Sequence, residues 1–209
     1  AIAGTYVVSM YNLSAGNCRS ASSSRSIVVG PRPAPNFSFP ASVCLPAASV
    51  LFTNTSTISD GTTNTLSYAW NFGEPISGAS NTSATKDPTH IYTGVGPFNV
   101  NLQVTSAAGC VHDTTIVLNT IHPQPKANFD IGQNPVCEGD NVSFTSQSNG
   151  ADGSITNWNW NFADGSPVSN DVNPAHTFNS AGNFNIRHWI TNSFGCNSDT
   201  AATPFKVYA

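Results

Sequence analysis

Internal repetition is the feature that most constrains this chain of 209 residues. The segment GPFNVNLQVTSAAGC at 96–110 matches GNFNIRHWITNSFGC at 182–196, and KDPTHIY at 86–92 matches VNPAHTF at 172–178. Both pairs are 86 residues apart (182 − 96 and 172 − 86). Repetition at a fixed spacing is typical of tandem arrays of one structural unit.

A third, partial copy begins the chain, since GTYVVSMYNLSAGNC at 4–18 also matches 96–110. Proline-rich segments, which are stiff and extended, separate the copies at 30–39 and 122–130. The repetition therefore predicts the last two strands of one repeat in 1–30 and two complete repeats in 31–121 and 122–209.

The stretch NWNWNFADGS at 157–166 indicates what each repeat is made of. Aromatic residues occupy every second position at Trp158, Trp160 and Phe162, and the Asp164-Gly165 pair then favours a turn. Alternation at period two is typical of a strand with one buried face. The chain carries no long helical periodicity, so we predict an all-β fold.

Composition excludes several classes of function. Only 9% of the residues are charged and the net charge is −4, so no polybasic surface for nucleic acid is expected. There is no apolar run of membrane-spanning length, and no motif of a hydrolase or metalloprotease is present, so we expect no enzyme. Five spaced cysteines in a Thr- and Asn-rich chain indicate an extracellular protein with disulfides.

Three motifs in a fixed order resemble the polycystic kidney disease (PKD) domain. These are a Trp-x-Phe-Gly-type strand end, an Asn-Pro-x-His-x-Tyr corner and a Gly-x-Tyr strand with alternating apolar residues. The matching residues are Trp70, Phe72, Gly73, Pro88, His90 and Tyr92 in one copy and Trp160, Phe162, Asp164, Gly165, Asn173, Pro174, His176 and Phe178 in the other. Asn71 and Asn161 replace the Asp of the family, and Glu74-Pro75 replaces Asp-Gly.

The resemblance implies tandem immunoglobulin-like β-sandwiches joined by short Pro-rich linkers. In such a fold Trp70, Phe72, Trp160 and Phe162 are expected in the two cores, on the strand that carries the core tryptophan of immunoglobulin domains. The cysteine-bearing form is similar to repeats of large cell-surface proteins of Bacteroidota, including gliding-motility adhesins.

The implied sandwich also constrains the cysteines. In an immunoglobulin-like fold the A–B and F–G loops lie at opposite ends, roughly 23 Å apart for a seven-residue strand, whereas a disulfide tolerates at most ~7 Å between Cα atoms. We therefore prefer an inter-repeat bond between Cys44 and Cys196. Cys110 and Cys137 would then reach neighbouring repeats, and Cys18 has no partner within the chain. Pairing within each repeat, Cys44 with Cys110 and Cys137 with Cys196, is the alternative.

Several side chains are candidate contact or modification sites. Trp189 is expected to point outward beside Arg187, where it could contact a sugar or a protein partner or pack laterally, with His188 facing inward unless a bulge exchanges the two. Thr114 and Thr200 lie in Asp-Thr-Thr and Asp-Thr-Ala sequences, which resemble O-glycosylation sites of Bacteroidota or simply start the last strand.

Metal and cofactor sites are not expected, with one alternative. Some members of the family bind calcium, so Asp152, Asp164 and Asp171 are candidate ligands, although each also suits a turn. His90 and His176 lack a second ligand at suitable spacing, and we expect them to bond to nearby backbone.

The function expected from these features is mechanical. The chain is interpreted as a non-catalytic adhesive or structural segment of a longer extracellular or cell-surface protein or filament. Its partners would be neighbouring repeats, identical subunits, surface glycans or other cell-surface proteins. The alternative is a carbohydrate-binding accessory module of a secreted hydrolase.

Overall fold

Short antiparallel strands account for most of the regular structure in this computed structural model, which describes residues 2–209. In the first half of the chain the strands are β1 (Gly4–Met10), β2 (Ser23–Val29), β3 (Phe37–Ser38), β4 (Val43–Cys44), β5 (Ala48–Leu51), β6 (Thr53–Asn54), β7 (Ser67–Asn71), β8 (Thr82–Ser83), β9 (Thr89–Tyr92), β10 (Phe98–Thr105) and β11 (Val111–Leu118). They are followed by β12 (Ile121–His122), β13 (Phe129–Ile131), β14 (Val136–Cys137), β15 (Asn141–Ser146), β16 (Ile155–Asn161), β17 (Ala175–Thr177), β18 (Gly182–Asn192) and β19 (Ala201–Tyr208). Two short 3-10 segments cover Thr63–Thr65 and Pro75–Asn81.

The described residues divide into two units. The first comprises 2–39, 50–90 and 97–118, and the second comprises 40–49, 91–96 and 119–209. Residues 40–49 therefore belong to the same unit as the last ninety residues of the chain. This assignment follows from β4, which pairs in parallel with β12.

The second unit is built from two facing sheets. One has the order β14-β19-β18-β16 and the other the order β13-β15-β17. Inward-facing residues alternate with outward-facing ones along β18, as the period-two pattern predicted. The core between the sheets contains Phe129, Val136, Val142, Phe144, Trp160, Phe162, Phe178, Ile186, Phe205 and Val207. The indole N–H of Trp160 donates to the carbonyl of Asp171 (2.9 Å), so its polar atom is satisfied in the core.

The first unit repeats this arrangement. Its main sheet has the order β11-β10-β7-β8. Trp70 is buried between Phe37 and Phe52, with ring centroids 5.0 and 5.6 Å away. Its indole N–H donates to the carbonyl of Thr85 (2.9 Å), the counterpart of the Trp160 bond. Immunoglobulin-like β-sandwiches in tandem are thus the fold of this chain.

The partial copy forms a hairpin in which β1 pairs with β2. Val8 and Met10 are aligned by the repeat with Val100 and Leu102 of β10. The latter two are fully buried, whereas Val8 and Met10 are 54% and 68% exposed. The hairpin therefore has the sequence of a core-facing pair of strands without a second sheet covering it in the described residues.

The turn that joins the last two strands recurs in all three copies with the same hydrogen bonds. In the second copy Ser106 N donates to Cys110 O (2.9 Å) and Gly109 N to Ser106 O (2.9 Å). The residue before each cysteine has a positive φ, namely Asn17 (61°), Gly109 (79°) and Gly195 (80°). Glycine and asparagine tolerate this conformation, so the sequence places each cysteine at the same point of the same turn. We call these the F–G turns: 14–18, 106–110 and 192–196.

Candidate functional site

A disulfide joins Cys44 and Cys196, whose Cα atoms are 5.5 Å apart. This is the pairing preferred on the sequence. Its partners are 152 residues apart in the chain, and both lie in the second unit. Cys110 and Cys137 are free thiols, as is Cys18. Neither bond of the alternative within-repeat pairing is therefore formed, in line with the separation between the two ends of a sandwich.

The short strand β4, which carries Cys44, is fixed by main-chain hydrogen bonds to β12. Val43 pairs with Ile121, and Cys44 with His122, in parallel register. The N–H of Val43 donates to Thr120 O (2.9 Å), and the N–H of Leu45 donates to His122 O (3.0 Å). These hydrogen bonds hold Cys44 against β12, at the end of the last strand of the preceding repeat.

The other half of the bridge is a buried turn. Cys196 is fully buried, and its N–H donates to the side-chain oxygen of Asn192 (3.0 Å). The same oxygen accepts from Phe194 N (3.1 Å), while the Asn192 amide donates to Gly150 O (3.0 Å). Asn192 is itself 1% exposed, so one buried amide holds the turn in place from both sides.

An aromatic contact lies beside the bridge. The ring of His122 stacks on that of Phe194 at 3.6 Å, and its Nδ1 is 2.8 Å from a carboxylate oxygen of Asp152. The hydroxyl of Ser42 donates to Phe194 O (2.9 Å). We call the set 43–44, 121–122 and 192–196 the bridge site. Sequence reasoning found its cysteines but not the His122–Phe194–Asp152 group, which no local motif signals.

Each repeat also contains a histidine that faces a carboxylate. His90 Nε2 lies 3.0 Å from Glu74 Oε2 with both side chains buried, and His176 Nε2 lies 2.7 Å from Asp164 Oδ2. The sequence led us to expect backbone partners, whereas the structure places a carboxylate against Nε2 in both. The rings stack on Phe72 and Phe162 at 4.5 and 4.0 Å, so each ring sits between an aromatic face and an acid.

The pKa of Asp164 reflects this environment. Burial opposes ionisation and acts to raise the pKa, but hydrogen bonds from Ser166 and His176 outweigh it and hold the pKa below its ordinary value. Glu74 stands at the corresponding position of the other repeat, so the replacement of Asp-Gly by Glu-Pro keeps an acid beside the histidine.

His188 occupies a third buried position. It faces inward, as the sequence indicated, stacks on Trp160 at 3.8 Å and is fully buried. Its Nδ1–H donates to Asn159 O (2.9 Å), and its Nε2 lies 3.2 and 3.0 Å from the hydroxyl oxygens of Ser146 and Ser148. Burial lowers the pKa of His188, with the bond to Asn159 O opposing it in part. Every polar atom of this ring is satisfied in its neutral form.

Trp189 and Arg187 line a shallow hollow of about 470 Å³ on the outer face of β18. Trp189 is partly buried and Arg187 exposed. The other lining residues are Asn161, Asn185, Ser198, Thr200 and Ala202. A flat indole beside amides, a guanidinium and hydroxyls combines an apolar surface with hydrogen-bond groups.

The candidate glycosylation residues lie in different settings. Thr114 is partly buried within β11 and pairs with Leu102, whereas Thr200 is exposed and precedes β19. Asp199, beside Thr200, accepts from the amide of Gln124 (3.2 Å). The two positions equivalent in sequence are therefore not equally accessible.

The three candidate calcium ligands each have another partner. Asp152 contacts His122, Asp164 contacts His176, and Asp171 Oδ2 accepts from Ser169 (3.1 Å). Within residues 2–209 no group of three or more His, Cys, Asp or Glu side chains is arranged to hold a metal ion. Across the same range, no helix has the length and apolar character needed to cross a membrane.

Comparisons with known proteins agree with the repeat structure. A family model described as PKD domain matches residues 31–121 and 122–207. The pre-pro-metalloprotease PrtV of Vibrio cholerae serotype O1 is 36% identical over 119 residues, which cover 56% of this chain and 12% of PrtV. The chain thus spans about an eighth of the length of this curated relative.

Two solved structures are similar to single repeats. The PKD1 domain of the V. cholerae metalloprotease PrtV is 27% identical, with a TM-score of 0.36, and the match covers 41% of this chain and 99% of that domain. The PKD1 domain of Vibrio anguillarum Epp is 24% identical, with a TM-score of 0.37, over 42% of this chain and 98% of that domain. Since the family model covers most of the sequence in two consecutive segments, the chain belongs to the PKD domain family.

Proposed function

We propose that this chain is a non-catalytic structural segment of a longer extracellular protein, in which it spaces neighbouring parts and carries tension between them. The observation that carries the proposal is the Cys44–Cys196 disulfide. It connects a residue of the segment 31–121 to a residue of the segment 122–207. A disulfide of this kind persists in oxidising surroundings outside the cytosol.

The position of the disulfide supports a mechanical role. When the chain is pulled at its two ends, force passes along residues 1–44, through the bond and along 196–209. The backbone between the two cysteines is bypassed and carries no load while the bond is intact. The proline-rich segments at 30–39 and 122–130 add local stiffness, because proline fixes the backbone.

Single-molecule force spectroscopy tests this role. A chain tethered at both ends should release only the short lengths outside the bridge while the disulfide is intact. Reduction should release about 500 Å more, because Cys44 and Cys196 are 152 positions apart in sequence and each position extends the chain by about 3.3–3.6 Å. The Cys44→Ala/Cys196→Ala variant should behave like the reduced protein without reductant. Full extension of the oxidised wild type would contradict the proposal.

A second candidate function is glycan binding at the Trp189 hollow. The observation that favours it is the grouping of Trp189, Arg187 and Asn185 on an outward face, since an indole face stacks on a pyranose ring while amides and guanidinium bond to its hydroxyls. The role is compatible with a spacer, because the hollow does not include the bridge.

A glycan array separates the two candidates. Binding that is lost in Trp189→Ala and retained in Gln103→Ala, the equivalent position of the other repeat, would support the glycan site. If neither the wild type nor the Gln103→Ala variant binds any glycan on the array, the second candidate is excluded while the mechanical role stands.

A further inference from the structure

The bridge site has three parts that recur elsewhere in the chain. The first is a two-residue strand ending in a cysteine, β4. The second is the end of a repeat's last strand, β12, which pairs with it in parallel. The third is an F–G turn, 192–196, that brings the second cysteine. A place that has two of these parts is an incomplete bridge site.

The edge around Cys137 has the first two parts. Val136 pairs with Val207, and Cys137 pairs with Tyr208, in parallel register. The N–H of Glu138 donates to Tyr208 O (2.8 Å), as that of Leu45 does to His122 O (3.0 Å). Tyr208 lies 86 residues after His122 (208 − 122), which is the repeat spacing. Cys137 is thus the counterpart of Cys44, and Tyr208 is the counterpart of His122.

Within residues 2–209, no F–G turn lies against this edge. Cys137 is an exposed free thiol, and Tyr208 is 47% exposed. In the bridge site the equivalent His122 is covered by Phe194 of the F–G turn. Lys206 Nζ lies over the Tyr208 ring, 4.3 Å from its centroid. The Cys137–Tyr208 edge therefore presents a thiol and a half-exposed aromatic ring in the geometry that receives an F–G turn at Cys44.

Another F–G turn, Ser14–Cys18, contacts no strand end that carries a cysteine in the described part of the chain. Ser14 N donates to Cys18 O (3.0 Å) and Asn17 N to Ser14 O (2.9 Å), matching Asn192 N to Cys196 O (3.0 Å) and Gly195 N to Asn192 O (3.0 Å). The N–H of Cys18 bonds to the Ser14 hydroxyl (3.2 Å), as that of Cys196 bonds to the Asn192 side chain (3.0 Å). Cys18 is exposed and free.

The residue of the turn that faces the strand end differs between copies. Phe194 contacts His122. Ala108 lies close to Gly30, since a β-carbon added to Gly30 would be 2.4 Å from the β-carbon of Ala108. In the Ser14–Cys18 turn this position is Gly16. A β-carbon added to Gly16 would have no neighbouring side chain or backbone of the described residues within 4 Å. Because Gly16 has no side chain, this turn leaves room for the ring of Tyr208.

We propose that the Cys137–Tyr208 edge is a docking site for the Ser14–Cys18 turn of a second copy of this chain, and that Cys137 and Cys18 then form a disulfide. Because this segment carries both halves of the contact, two copies of the segment associate head-to-tail and not as a closed symmetric dimer. The inference rests on the proposed function, because it extends the bridge of a tension-bearing segment from one copy to the next.

The bond requires an oxidant, for which a small-molecule disulfide such as oxidised glutathione suffices. The thiolate of Cys137 attacks one sulfur of the small disulfide and expels one thiol, which gives a mixed disulfide. The Cys18 thiolate of the docked copy then attacks the Cys137 sulfur and expels the second small thiol. Two protein thiols lose two electrons and two protons in total, and the small disulfide gains them.

The experiment incubates the purified protein in a buffer of oxidised and reduced glutathione and reads the products on a non-reducing gel and by peptide mass spectrometry. We expect a ladder of oligomers in which the Cys18–Cys137 linkage is roughly tenfold more abundant than either the Cys18–Cys18 or the Cys137–Cys137 linkage. Random collision of exposed thiols would not give such a ratio, so it indicates docking. Cys18→Ser and Cys137→Ser should each stop at discrete dimers or monomers. Cys110→Ser is the matched control and should keep the ladder.

Tyr208→Ala separates docking from mere exposure of thiols. This variant retains all five cysteines but lacks the aromatic ring. The proportion of Cys18–Cys137 relative to Cys18–Cys18 and Cys137–Cys137 should therefore fall towards that of random pairing. A wild-type product that is already a random mixture, or that stays monomeric, would overturn the inference. The same digest reports the internal Cys44–Cys196 peptide, so its absence would count separately against the proposed function.

Discussion

The imidazole of His122 lies 3.6 Å from the ring of Phe194 and nearly parallel to it, at an interplanar angle of 11°. The repeat places Gly30 and Ala108 at the same two positions one copy earlier. There the contact is made by two very small residues, and a β-carbon on Gly30 would fall 2.4 Å from the Cβ of Ala108. The strand end and the F–G turn are thus joined by two stacked rings at His122 and Phe194, but by only one methyl group at Gly30 and Ala108.

Gly30→Ala should therefore destabilise the protein, by about 1–3 kcal/mol for an overpacked contact. Because the obstructing atom is the side chain of Ala108, adding Ala108→Gly should recover most of the loss. Urea unfolding of the two single variants and the double variant measures both effects. Gly16→Ala is the matched control, because the added β-carbon would meet no other part of the described chain within 4 Å. No loss in Gly30→Ala would mean that the turn moves freely away from Gly30.

Removal of the Cys44–Cys196 bond should lower the free energy of unfolding by about 2–5 kcal/mol, because the bond restricts a long loop in the unfolded chain. The loop spans 152 residues, which places the expected effect towards the upper end. Thermal unfolding of the Cys44→Ser/Cys196→Ser variant measures it against Cys18→Ser, in which an exposed free thiol is changed. An equal shift in the two variants would show that the bond does not contribute to stability.

His188 should make stability depend on pH in a defined direction. Its pKa is lowered in the folded protein from the ordinary value of 6.5, so below that value the unfolded chain binds a proton that the folded chain does not. Stability is therefore complete above pH 6.5 and is lost as pH falls towards the lowered pKa, by at most about 1.4 kcal/mol per pH unit.

The measurement compares the wild type with His188→Leu, since Leu102 occupies the same position opposite Trp70 in the other repeat. The difference in unfolding free energy between the two proteins should be constant above neutral pH and shift in favour of the leucine variant as pH falls below 6.5. Parallel pH profiles of the two proteins would exclude His188 as the source.

Asp164→Asn should cost about 1–3 kcal/mol at neutral pH, because it removes the charge from hydrogen bonds with Ser166 and His176. Since the folded-state pKa of Asp164 lies below its ordinary value of 3.8, its contribution is present above that value and is lost as pH falls below it. Acid unfolding of the variant should therefore be less steep. Asp130→Asn, at an exposed position, is the control.

The repeats and their core residues were accessible to sequence reasoning because each depends on short-range pattern. Alternation at period two requires that Trp160 and Phe162 share a face, and both are buried. The choice of Cys196 for Cys44 depended on a single topological fact, that the two ends of a sandwich are too far apart for a bond. The period-two alternation and the distance between the two ends of a sandwich do not depend on which side chains surround these residues.

The remaining contacts are set by pairs of side chains far apart in sequence. His122 meets Phe194 where β4 pairs with the preceding strand end. The other repeats have Gly30 with Ala108, or a half-exposed Tyr208, at these positions. The carboxylate beside His176 comes from a turn twelve residues earlier. Alternation placed His188 inward, but its bonds to Ser146 and Ser148 depend on the facing sheet.

The Cys44–Cys196 bond has a genetic consequence. Because it joins the start of one copy to the last turn of the following copy, a continuous array of complete copies bonded in this way pairs every interior cysteine with a cysteine of an adjacent copy, whatever the total number of copies. Recombination that duplicates or deletes a whole copy therefore leaves no interior cysteine unmatched. A bond pattern of this kind allows the length of the gene to vary in whole steps while the oxidised product still folds correctly.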